Sequence, residues 1–154
     1  MHFIARLAAV AAAVSTLAIV PPAVASEPHH EATQLRKLDI MLMVSSLRCR
    51  FGPDNFQPDY TRFSTNHYPT MQGAFKQMEA HYTQRMGVAG ARKAIDKVSV
   101  GMANQYGQGH PWMGCSELKA MTRQLAATKD RAHLVAAAHD ALADRPATQI
   151  ALRP

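Results

Sequence analysis

The sequence predicts an all-α protein: a small bundle of four or five helices, held by one disulfide and preceded by a cleavable signal peptide. Three observations predict it. Apolar residues recur three and four positions apart through most of the chain beyond residue 31, the spacing that lines one face of a helix. No run of alternating β-branched residues, no strand-turn-strand signature and no internal repeat occurs, which leaves a sheet without strands. An export signal places the only two cysteines, Cys49 and Cys115, where an even number of thiols forms bridges.

The export signal is residues 1–25. Arg6 supplies the basic leader, Leu7 to Val20 the apolar stretch, and Ala23-Val24-Ala25 the small-residue cleavage site,. The apolar stretch is 14 residues long, short of the roughly 20 that span a bilayer. Cleavage after Ala25 leaves 129 of the 154 residues, and the loss of Arg6 lowers the net charge from +6 to +5. A chain of that size is one domain. Residues 26–31 are expected as a flexible N-terminus, 32–145 as the helical domain and 146–154 as a flexible tail, in the periplasm or outside the cell. Only one intramolecular pairing of the cysteines exists. With 65 residues between them, the bridge contributes roughly 4 kcal/mol by the chain-entropy model.

Leu35, Leu38, Leu42, Ser45 and Cys49 form the first stripe, on a helix expected over 32–50,. The turn residues Phe51-Gly52-Pro53-Asp54-Asn55 end it, and Pro58-Asp59 starts the next,. Phe56, Tyr60, Phe63 and His67 continue at helical spacing until Pro69, which must kink or split the segment,. Met71, Ala74, Phe75, Met78, Tyr82 and Met86 follow as an inward stripe, with Gly87 as its C-cap,. A helix over 91–106 turns Ala91, Ile95, Val98 and Met102 inward. After the Gly- and Pro-containing segment 107–114, Ser116 is the expected cap of a helix carrying Leu118, Met121 and Leu125, with Glu117 suiting its dipole,. Thr128-Lys129-Asp130 breaks the pattern before Leu134, Val135, Ala138 and Leu142.

The segment 107–114 also gathers the best candidates for chemistry: Asn104, Tyr106, His110, Trp112 and Cys115. In a catalytic reading His110 is a general base with Tyr106 and Asn104 as hydrogen-bonding partners, and Trp112 is a stacking surface. In a structural reading Gly107 caps a helix, Pro111 fixes the turn, Trp112 plugs the bundle end and His110 donates to a backbone carbonyl. Seven histidines follow the leader, yet none forms a compact ligand pattern,. On one straight helix His67 and His81 would stand about 21 Å apart, too far to share an ion. Methionines at helical spacing pack as core rather than ligate haem. No metal and no cofactor is therefore expected. Ser116-Glu117-Leu118-Lys119 spells the Ser-x-x-Lys nucleophile motif, but its companion motifs are absent and a helix start explains it,.

The densest basic group is Arg36, Lys37, Arg48 and Arg50, by default a solvated helix face. Export argues against nucleic acid as a partner and leaves weak contact with anionic surfaces. Over Leu35 to Val44, Leu47 to Arg50, Met102 to Gly107 and His110 to Trp112, the sequence resembles a group of small exported bacterial proteins, similar over most of the mature chain with both cysteines. Some of that group carry the label S-adenosyl-L-homocysteine hydrolase. That enzyme family is a larger cytosolic Rossmann protein that binds NAD, and no Gly-x-Gly-x-x-Gly occurs here,; the resemblance carries over no catalytic residue. The expected function is a non-catalytic binding or structural module for an envelope protein or small ligand, through Trp112, His110 and Tyr106. The alternative is a small hydrolase or lyase using Asn104, Tyr106 and His110.

Overall fold

Helix α1 (Pro28–Arg48) is the element against which the others assemble: α2 (Gln57–Asn66), α3 (Tyr68–Gly107), α4 (Cys115–Ala127) and α5 (Arg131–Leu142) all pack on it. The computed structural model describes residues 28–143, which contain five helices and no strand. The leader with its cleavage site and the tail 146–154 lie outside the described residues. The expected stripe of Leu35, Leu38, Leu42, Ser45 and Cys49 is buried, and Ala32, Ile40, Met41 and Ser46 join it. Burial spreads beyond one stripe because α1 has neighbours on several sides. The helix starts four residues before the expected boundary, inside the segment read as flexible. Pro28 is suited to a first turn, where its missing N–H forfeits no bond.

Pro69 splits the next segment rather than kinking it. Asn55 Oδ1 accepts the Gln57 N–H at 3.0 Å to start α2, and α3 begins at Tyr68 with Pro69 in its first turn. His67 alone separates the two helices. Within α3, Gly87 takes φ 71° and ψ 172°, which interrupts the helix before it resumes. The expected stop at Gly87 is therefore a break inside one long element. Met86 departs from the expected inward stripe: it is exposed beside that break, as is Val88. Beyond it Ala91, Ile95 and Met102 are buried as their spacing predicts.

Helix α4 corrects the expected cap. Cys115, held by the disulfide, is already helical, so the cap falls on Gly114; its N–H donates to Glu117 Oε2 at 2.7 Å, and Ser116 is exposed in the first turn. Asp130 caps α5 by accepting the Ala132 N–H at 2.9 Å. Asp59 on α2 takes both 3.2 Å hydrogen bonds from Arg123 on α4, which links the two helices at their surface. The core joins Phe56, Phe63, Met78, Leu118, Leu125 and Leu134 to α1. Each such side chain contributes about 1.5–3 kcal/mol by leaving water.

Cys49 and Cys115 are bridged with Cα atoms 5.8 Å apart, tying the chain just after α1 to the start of α4. Reduction should add two hydrogen atoms to the intact mass. Cys49→Ser with Cys115→Ser should lower stability in urea by about 4 kcal/mol. Gly87→Ala, which must hold a positive φ, should lower stability by about 1 kcal/mol or more. Gly101→Ala lies inside a regular helix with nothing within 4 Å of an added Cβ, and should raise it by about 0.4–1 kcal/mol; thermal denaturation of the two variants reads the opposite signs.

Candidate functional site

The loop that joins α3 to α4 is positioned from three directions. Tyr106, in the last turn of α3, is 2% exposed. Gly109 turns the chain with φ 117° and lies so close to Arg48 that an added Cβ would stand 3.3 Å from its Nε. The disulfide anchors the far end at Cys115. Between these points His110 stacks on Tyr106, ring centres 5.2 Å apart, and meets Trp112 edge-on at 4.7 Å.

Both ring nitrogens of His110 are occupied by main chain. Nε2 donates to the Ala141 carbonyl at 2.9 Å, and Nδ1 accepts the Met113 N–H at 3.2 Å and the Trp112 N–H at 3.4 Å. These partners define a neutral imidazole with its proton on Nε2. Burial holds its pKa below the ordinary 6.5, against the opposing pull of the Ala141 hydrogen bond and of Glu117. Trp112 Nε1 donates to the Ala143 carbonyl at 3.2 Å, so the indole closes the end of α5. Tyr106, His110 and Trp112 come together as the sequence suggests; Asn104 does not join them. It is exposed, two positions from Tyr106 and so on a different face of α3.

A second polar group was not legible from spacing. Asp39 on α1 accepts the Tyr60 hydroxyl at 3.1 Å through Oδ1 and Arg36 Nη1 at 3.2 Å through Oδ2. Burial raises the Asp39 pKa despite these two partners. Burial, and then the adjoining carboxylate, push the Tyr60 hydroxyl up. Arg36 and Asp39 line an open cleft of about 340 Å³ with Ser64, Tyr68, Met71, Gln72 and Phe75. The only sequence trace is the i, i+3 spacing of Arg36 and Asp39, common on solvated helices.

Of the other histidines, His29, His30, His67, His81 and His139 make contacts between elements. His67 Nε2 donates to the Leu125 carbonyl at 2.7 Å, beside the Asn66 amide on Ala126 O at 2.9 Å. His29 stacks face to face on His81 with ring centres 3.8 Å apart. In parallel planes that close, the in-plane lone pairs of the two rings do not converge on one ion. Among the described residues no group of three His, Cys, Asp or Glu side chains is placed to hold a metal, and no helix is long and apolar enough to cross a membrane.

The exposed apolar residues include three spaced four apart at the disulfide end: Met43 at 39%, Leu47 at 46% and Phe51 at 81%. Leu47 and Phe51, with Val44, Arg48, Arg50 and Gly107, line a shallow groove of about 310 Å³. Phe51 sits in what the sequence marks only as a turn, and Leu47 falls off the buried stripe of α1.

Because the folded His110 pKa lies below its unfolded value, the native state favours the neutral ring. The stability this provides is complete above about pH 6.5 and is lost as pH falls through that value toward the folded pKa,. Urea denaturation at about pH 7.5 and about pH 5 should show a smaller acid loss in His110→Gln than in the wild type. His110→Ala should cost about 1–3 kcal/mol at the higher pH by stranding backbone groups. No protein-family model matches the chain, and no curated protein and no solved structure matches it.

Proposed function

We propose that the protein is an exported, non-catalytic helical module that binds in the cell envelope through the apolar surface beside its disulfide. The occupancy of His110 carries this reading. A general base needs a free lone pair within reach of a substrate proton, and here Nδ1 accepts two backbone N–H groups while Nε2 donates to a third residue. Tyr106 is buried and Trp112 is bonded to Ala143, so the aromatic residues expected to bind are used inside the bundle. Leu47 and Phe51 are left to solvent instead. Export is supported by residues 1–25 and suits the Cys49–Cys115 bridge,.

In cells making the full chain, wild-type protein should fractionate with the envelope. Leu47→Ser with Phe51→Ser should shift it to the soluble exported fraction, with helical circular dichroism and Tm retained. Identical fractionation of wild type and variant would overturn the surface assignment, and turnover abolished by His110→Ala would overturn the non-catalytic reading.

A further inference from the structure

Resting on that binding reading, we propose that the Phe51 end of the bundle docks on an anionic lipid surface, Phe51 and Leu47 entering the headgroup boundary and Arg48 and Arg50 meeting the phosphates. The apolar and cationic groups share one edge. Met43, Leu47 and Phe51 repeat every four residues along the end of α1 and the turn after it, and Arg48 and Arg50 are exposed between and beside them. The Arg50 guanidinium lies 4.5 Å from the centre of the Phe51 ring, so the cation and the aromatic face arrive at a surface as one unit. All but Met43 line the same groove.

Charge selects the partner's sign. The groove has two arginines and no acidic residue in its lining. Lys119 adds a third cation by donating to the Pro53 carbonyl at 2.8 Å. Size favours a lipid surface over a protein: stable protein interfaces engage about 20–30 residues a side, whereas this edge offers three large apolar side chains and a rim of cations. Shallow burial of a few such groups beside basic residues is what peripheral attachment to anionic lipid requires. The turn is braced by the disulfide at Cys49 and by Lys119 at Pro53, so docking loses little conformational freedom.

The test is co-sedimentation of the mature, oxidised protein with vesicles of phosphatidylcholine alone and of phosphatidylcholine mixed with phosphatidylglycerol. Binding should be confined to the mixed vesicles and should weaken as salt is raised. Arg48→Gln and Arg50→Gln should each weaken it about fivefold, the equivalent of about 1 kcal/mol per cation near the surface. Phe51→Ser should weaken it about tenfold, with Tm unchanged in all three variants. Equal binding to both vesicles, or undiminished binding by Phe51→Ser, would overturn the proposal. Absence of vesicle binding while Leu47→Ser with Phe51→Ser still releases the protein from the envelope would overturn the lipid surface, retain the binding reading and assign the edge to a protein. Self-association abolished by Phe51→Ser, without vesicle binding, would assign it to a second copy. If the variant neither leaves the envelope nor alters vesicle binding, both readings fail.

Discussion

The bridge between Cys49 and Cys115 constrains the two loops that give the molecule its chemical character. One sulfur closes α1 and the other opens α4, so the turn carrying Phe51 and the loop carrying His110 leave from neighbouring points. The helices have apolar faces that would find one another without it. What the bridge adds is position: it sets where α4 begins, which moves the cap from Ser116 to Gly114, and it brings Gly109 against Arg48. In a domain this small, the loss of about 4 kcal/mol is comparable with the whole margin by which such domains fold, about 5–15 kcal/mol.

The polar side chains at the two ends of the bundle solve one problem in the same way. The last carbonyls of a helix lack intrahelical donors. Asn66 and His67 supply donors to Ala126 and Leu125 at the end of α4; His110 and Trp112 supply them to Ala141 and Ala143 at the end of α5. Each bond contributes about 0.5–1.5 kcal/mol net, and leaving a buried group unmade costs more. His110, a candidate for chemistry in the sequence, and His67, read there as part of an apolar stripe, are thus both helix-end donors. The same usage occupies both ring nitrogens of His110, while Leu47 and Phe51 stay exposed.

Legibility in the sequence follows the range of the interaction. The stripe on α1, the break at Gly87 and the stop at Thr128-Lys129-Asp130 are local patterns and appear where the spacing places them. The disulfide needed only a count of cysteines. Met86 misled because its spacing was right while its neighbours were missing: the helix is interrupted at Gly87, and Met86 has no core to enter. Asp39 and Tyr60 are 21 positions apart on different helices, and nothing in either local pattern links them. His29 and His81 are more distant still.

Sequence alone determined that this chain is helical, where most of its turns fall and which two sulfurs pair, because periodicity, turn chemistry and cysteine number are properties of neighbouring residues or of simple counts. Tertiary structure decided which polar groups are consumed and which remain available. His110 can be a base or a staple until Ala141, Trp112 and Met113 are placed around it, and Leu47 and Phe51 can be core or surface until the helices have closed without them. The physical reason is that availability depends on which atoms stand within hydrogen-bonding or van der Waals range, and for these residues most of those atoms belong to segments distant along the chain.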